Sequence, residues 1–229
     1  MALQVFYFYP TEQTIMVNNY DKIARYYDVL SRLLFHQSQA KAQIQQLKFI
    51  SPQSRILIAG GGTGWILEEL SKIYKEGLSI TYVEISAEMI RLAKKRAIGK
   101  NSIEFVNCAI EDYTVEAPYD VVHTAFLFDN FSSERSAIVF GKLNQALKAG
   151  GLWLYTDFAY QPETDEKWKG FLLRMMYAFF RKIAKVEAGS LPDTAILFER
   201  SQYNILDEKA YYKKFIKAII YKKSRPHHQ

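Results

Sequence analysis

The 229-residue chain contains one cysteine, six prolines and no long apolar run, and each scarcity removes a class of protein. Cys108 cannot close an intramolecular disulfide and has no CxxC or HxxxH companion, so a disulfide scaffold and the common zinc sites are excluded and no metal is expected. Within SIEFVNCAI it reads as a small buried hydrophobe. No stretch of 18 apolar residues is present to span a bilayer. The segment MALQVFYFYP lacks the basic region, apolar core and small-residue cleavage site of a signal peptide, which makes a cytoplasmic protein the expectation. There is no internal repeat or low-complexity stretch, and Pro10, Pro52, Pro118, Pro162, Pro192 and Pro226 each fall near an expected element boundary.

What the chain has is core material and unevenly placed charge. Hydrophobic residues make up 49% and aromatics 15%, enough for one domain with a large core. The net charge of +6 divides sharply: residues 1–166 carry 16 Lys+Arg against 19 Asp+Glu, net −3, whereas residues 167–229 carry 14 against 5, net +9. Any partner selected by basic character therefore acts on the C-terminal quarter.

Periodicity orders the rest. Between about 18 and 50, Ile23, Tyr26, Tyr27, Leu30, Leu33, Leu34, Ile44, Leu47 and Phe49 recur at helical spacing and predict two helices or one interrupted helix. Strands are predicted at Arg55–Ala59, Ile80–Glu84, Ile103–Cys108, Tyr119–Ala125 and Leu152–Asp157. Helices are predicted over WILEELSKIY, over 86–97 opened by Ser86, and over 133–148. Alternating strands and helices imply right-handed βαβ units and a doubly wound parallel sheet over about 52–158. From Trp168 to Ile183 apolar residues recur at i, i+3 and i+4 among Lys167, Lys169, Arg174, Arg181, Lys182 and Lys185, giving an amphipathic basic helix over about 166–186. Residues 203–211 and 215–221 read as a closing antiparallel hairpin. The expected division is a helical cap segment at 1–51, an α/β core at 52–158, a helical insertion over the substrate at 159–200 and a hairpin with tail at 201–229, all in one structural domain.

In RILIAGGGTGWILEEL a buried strand enters a glycine cluster and leaves as a helix, which brings backbone close to a charged ligand at a helix N-terminus. No Gly-Lys-Ser/Thr follows, so this is not a Walker loop. The dinucleotide fingerprint GxGxxG fails at Trp65, and the pattern is instead Gly60, Gly62, Gly64. Together with Glu84 at the next strand end, it fits a mononucleoside whose two ribose hydroxyls are accepted by one carboxylate.

Over about residues 18–158 these features resemble the class I S-adenosylmethionine-dependent methyltransferases. The resemblance is carried by ILIAGGGTG, the acid in YVEISAEMI, the third strand leading to AIED, YDVVHTAF and LNQALKAGGLWLYTDF. NNYDKIARYYDVLSRLLF and FLFDNFSSERSAI are similar to the quinone- and small-molecule-methylating branch. The chain departs from the family at Ile58 and Ala109, where an acid is common, and at Asp129, where an arginine is common. The resemblance implies a Rossmann-like seven-stranded sheet, mostly parallel with a C-terminal antiparallel hairpin and helices on both faces, and S-adenosyl-L-methionine as cofactor. It also implies roles: Gly60, Gly61, Gly62 and Gly64 at the methionine part, Glu84 at the ribose, Ile85 and Met89 along the adenine, Ile110 and Glu111 at its edge, and Thr124, Ala125 and Phe126 as the floor near the methyl group. Of Tyr20, Tyr26 and Tyr27, the last is expected to close over the cofactor carboxylate.

The implied activity is methyl transfer by in-line displacement to a small, hydrophobic or aromatic acceptor. Such a reaction needs alignment and exclusion of water more than a fixed base. Candidate proton acceptors are His123, Asp129 and Asp157. His123 lies within a central strand and reads more readily as a satisfied core residue, whereas the two aspartates fall where an open α/β sheet places its ligand crevice. The basic quarter keeps two alternatives open, an RNA or protein substrate and peripheral contact with an anionic membrane, although no RNA-binding appendage or NPPY-like tetrapeptide accompanies it. Ile58 and Ala109 keep a third open, a non-catalytic protein of the same fold.

Overall fold

The computed structural model of the chain describes residues 21, 24, 34–35, 37–184 and 188–225. Tyr20, Tyr26, Tyr27 and most of the first expected helix lie outside the described residues. Fourteen elements follow in order: α1 (Ser38–Leu47), β1 (Arg55–Ala59), α2 (Trp65–Ile73), β2 (Glu76–Val83), α3 (Ala87–Ala93), β3 (Lys100–Val106), β4 (Tyr119–Ala125), a 3₁₀ turn (Phe128–Asn130), α4 (Ser133–Ala146), β5 (Leu147–Phe158), α5 (Lys167–Ala184), α6 (Thr194–Arg200), β6 (Tyr203–Tyr211) and β7 (Ile216–Lys223).

The strands form one seven-stranded sheet in the order β3-β2-β1-β4-β5-β7-β6. β3, β2, β1, β4 and β5 run parallel, while β7 pairs antiparallel with β5 and β6 antiparallel with β7. The expected doubly wound sheet with its closing hairpin is thus present. Strand alternation distributes the core onto two faces. Ile56, Ile58, Val121 and Leu154 pack with Leu47 of α1, Ile66, Leu67 and Leu70 of α2 and Ala93 of α3. Leu57, Ala59, Val122, Trp153 and Tyr155 pack with Val139, Phe140 and Leu143 of α4 and Phe198 of α6.

Gln46 fixes α1 where the sheet changes direction. Its Nε2 donates to the carbonyls of Tyr155 at 2.9 Å and Ile219 at 3.1 Å, and its Oε1 accepts from Thr156 Oγ1 at 2.9 Å. All its polar atoms are satisfied inside the core, so truncating it would orphan partners on β5 and β7. The inner face of α5, with Leu173, Met176 and Tyr177, settles on Phe158, Phe215, Ile216 and Ala218. Among the described residues no helix is long and apolar enough to cross a membrane.

Several boundaries differ from expectation. α3 ends at Ala93 and α4 at Ala146, earlier than 97 and 148. β2 begins at Glu76 and β3 at Lys100, and β5 takes in the whole LKAGG segment from Leu147. The cause in β5 is a register shift between Tyr119 and Val121: Tyr119 faces Leu147 while Val121 faces Leu152, so the intervening residues bulge out with Gly150 at φ 80°. α6 stands as a separate short helix within the segment expected as an insertion.

Candidate cofactor site

The strand order reverses between β1 and β4, and a crevice opens beyond the carboxyl ends of the strands there, as in other open α/β sheets. One wall is α1, through Gln39, Ala40, Gln43 and Ile44. The others are the turn at Gly60, Gly61, Gly62 and Thr63, then Glu84, Ile85 and Met89, then Cys108, Ala109, Ile110 and Glu111, and finally His123, Ala125, Phe126, Leu127, Asn130, Phe131 and Arg135.

The turn is shaped by two close approaches. A Cβ on Gly61 would lie 2.2 Å from Cζ of Tyr82, whose hydroxyl donates to the Gly62 carbonyl at 2.8 Å. Gly62 adopts φ 64°, and a Cβ there would meet nothing within 4 Å, so its open side is the cavity itself. Gly64 does not line the cavity. It caps α2 and lets that helix press on Ala93 of α3, where a Cβ would come within 2.5 Å, so its role is packing.

Glu84 follows the last residue of β2 and is 6% exposed. Its Oε2 accepts from the Gly62 N–H and its Oε1 from the Ser86 N–H, both at 2.9 Å. Burial pushes its pKa up, and the backbone N–H donors of Ser86, Gly62 and Ile85 pull the other way. Each carboxylate oxygen keeps a further acceptor direction free of those bonds. Ser86 caps α3 by accepting from the Met89 N–H at 3.1 Å and donates to Asp21 Oδ1 at 2.5 Å, while Asp21 also accepts from the Glu88 N–H at 3.2 Å. Asn107 donates to the carbonyls of Glu84 and Ile85, both at 2.9 Å, and so fixes the loop after β2.

On the far side, Phe126 holds a left-handed φ of 52°, stabilised where its N–H donates to the Thr156 carbonyl at 2.8 Å and its ring meets Phe158 at 4.8 Å. Glu111 lines the cavity with its carboxylate paired to Arg135 Nε, while its carbonyl accepts from Lys142 Nζ. Cys108 is half-buried, packs against the core and also lines the cavity, with its thiol pKa raised by desolvation.

His123 faces the α1 side of the sheet, level with Ile58 on β1 and Leu154 on β5. It is 4% exposed, neither ring nitrogen has a hydrogen-bond partner, and burial lowers its pKa to about 4. A satisfied core histidine is therefore not what the structure contains.

Of the residues singled out from sequence, Gly60, Gly61, Gly62, Glu84, Ile85, Met89, Ile110, Glu111, Ala125, Phe126 and His123 converge on this crevice. Thr124 does not: it is 1% exposed and its Oγ1 accepts from Trp153 Nε1 at 2.9 Å, because β4 alternation turns it to the opposite face. Asp129 and Asp157 lie beside the crevice and outside its lining. Asp21, Gln39, Gln43, Asn107 and Asn130 escaped sequence reasoning. Only Asp21 carried a signal, the tyrosine–aspartate pair that opens the similar branch.

Residues 56–151 match the family described as methyltransferase domain. The chain is 30% identical over 146 residues to a malonyl-[acyl-carrier protein] O-methyltransferase of Priestia megaterium, covering 63% of this chain and 51% of that protein. It is 26% identical over 147 residues to a ubiquinone/menaquinone biosynthesis C-methyltransferase of Geotalea daltonii, covering 61% of each. The chain thus spans about half the length of the curated relatives it matches. In fold it is similar to the 1,6-didemethyltoxoflavin-N1-methyltransferase of Burkholderia thailandensis, solved with S-adenosylhomocysteine, at a TM-score of 0.61 and 13% identity over 90% of this chain and 86% of that one. Over these residues, and in fold, the chain is similar to the class I S-adenosylmethionine-dependent methyltransferases. S-adenosylmethionine is the cofactor of that class.

Proposed function

We propose that this chain transfers the methyl group of S-adenosylmethionine to a small acceptor. The observation that carries the reading is Glu84, a buried carboxylate held by the N–H of Gly62 on one oxygen and of Ser86 on the other, facing an open glycine turn. The remaining acceptor directions of Glu84 suit the two ribose hydroxyls, and Gly60, Gly61 and Gly62 let the methionine end approach backbone N–H groups. Ile85 and Met89 line the adenine, Ile110 and Glu111 stand at its edge, and Ala125 and Phe126 form the floor.

His123 supports the fit. Its unpartnered nitrogens are neutral at physiological pH and offer an acceptor to the cofactor ammonium, on the face where Ile58 supplies no acid. When bound, S-adenosylmethionine supplies a methyl carbon activated by its sulfonium. The protein's part is to align the acceptor and keep water out. That the relatives are named for a malonyl-[acyl-carrier protein] and for quinone biosynthesis supports a small organic acceptor.

Thermal unfolding with 1 mM S-adenosylhomocysteine tests this. Ligand that binds only the folded state raises the midpoint, so the wild type shifts upward while Gly62→Val and Glu84→Ala lose most of the shift. An unshifted wild type, or an equal shift with free adenine, overturns the proposal.

A further inference from the structure

Beside the crevice lies a polar cluster that the cofactor does not use. Asp157, near the end of β5, is 2% exposed; its Oδ1 accepts from the Phe158 N–H at 2.8 Å and its Oδ2 from the Phe128 N–H at 3.2 Å. Asp129 sits half-buried in the 3₁₀ turn, where Asn130 Nδ2 donates to its Oδ1 at 2.8 Å. The same Asn130 amide donates to the carbonyls of Phe126 at 2.9 Å and Leu127 at 3.2 Å, and all three residues line the crevice. Asp129 is therefore one hydrogen bond away from the cofactor cavity.

Tyr177 of α5 packs in the apolar cluster that holds Phe158 and Phe126, near neighbours of Asp157 and Asp129 in the chain. Tyr177 is 6% exposed, and its buried hydroxyl has no hydrogen-bond partner. The phenol senses both carboxylates, which add to desolvation in raising its pKa. Desolvation pushes Asp129 up to about 7, and desolvation together with the charge of Asp129 pushes Asp157 well above the usual range, so the pair resists a second ionisation. Among the described residues no Lys, Arg or His pairs with either carboxylate. Two neighbouring acids without a counter-cation, beside an unused hydroxyl, form a largely buried polar cluster that welcomes hydrogen-bond donors and repels anions.

We propose that Asp129 and Tyr177, with Asp157 behind them, receive a nitrogen of the methyl acceptor, so that the acceptor class is an amine or an N–H heterocycle. The inference rests on the methyltransferase reading and sharpens it. As the nitrogen lone pair bonds to the methyl carbon, the carbon–sulfur bond breaks with its electrons returning to sulfur, and the N–H proton passes to the Asp129 carboxylate. Asp129 is then a catalytic residue.

The test uses the full chain saturated with S-adenosylhomocysteine and three probes of one shape: benzylamine, benzyl alcohol and benzoate. Benzylamine is expected to bind at least tenfold more tightly than the other two. Asp129→Asn abolishes the preference and Tyr177→Phe reduces it severalfold, while affinity for S-adenosylhomocysteine stays unchanged. The titratable groups facing Asp129 are Asp157 and Tyr155 on β5 and Tyr177 on α5. Equal binding of the three probes, or a preference surviving in Asp129→Asn, overturns this proposal alone. Absence of S-adenosylhomocysteine binding overturns the cofactor reading with it.

Discussion

His123 concentrates the conflict between folding and binding at a single residue. A buried imidazole with both nitrogens unpartnered costs about 1–3 kcal/mol. Its folded pKa of about 4 lies below the unfolded value of 6.5, so between those pH values the unfolded chain binds the extra proton. Stability from this group is therefore complete above 6.5 and is lost as pH falls toward 4. Urea unfolding at pH 7 and pH 4.5 is expected to show His123→Leu more stable than wild type at both, with the larger gain at pH 4.5, and calorimetry to show weaker S-adenosylhomocysteine binding. The meeting of Glu84 with Gly60, Gly61 and Gly62 at one turn was legible in the sequence because a strand, a tight turn and a strand-end acid constrain one another through backbone geometry, whereas Gly64, expected there too, packs α2 on α3. Thr124 was misread because one residue of strand parity sends it to Trp153. Asn130 and Gln43 were missed because nothing local marks a polar side chain that a neighbouring element turns toward a cavity.

At the scale of elements, the alternating strands and helices were legible because their periods differ, while their ends were not. The LKAGG bulge depends on how β5 pairs with β4, a non-local matter. α6 was not legible because seven residues are too few to hold a helix by propensity. Phe198 supplies the reason it exists: its ring stacks on Tyr221 at 3.8 Å and meets Trp153 edge-on at 4.9 Å and Phe140 at 4.8 Å. Phe198→Ala should cost about 3–5 kcal/mol, read as a lower urea midpoint. It should also speed amide hydrogen exchange across α6 while leaving α2 and α3, on the opposite face, protected.

For the whole molecule, the uneven charge acquires a structural meaning. Lys223 donates to the carbonyls of Asn144 and Leu147 at 2.5 and 2.9 Å, buried Lys169 pairs with Asp165 at 2.5 Å, and Lys217 pairs with Glu208 at 2.9 Å. Part of the basic quarter thus ties β7 to the α4–β5 junction, β6 to β7, and the start of α5 to the loop before it. The crevice, in contrast, sits in the slightly acidic portion and gathers residues from α1, β1, β2, β4 and the loops that follow them. The central claim is that this crevice holds S-adenosylmethionine with Glu84 as its ribose acceptor. A crystal structure of the chain with S-adenosylhomocysteine tests it most directly. The account predicts both ribose hydroxyls on the Glu84 carboxylate and the amino-acid end over Gly60, Gly61 and Gly62 within reach of His123. A ligand bound elsewhere, or a ribose making no contact with Glu84, would contradict it.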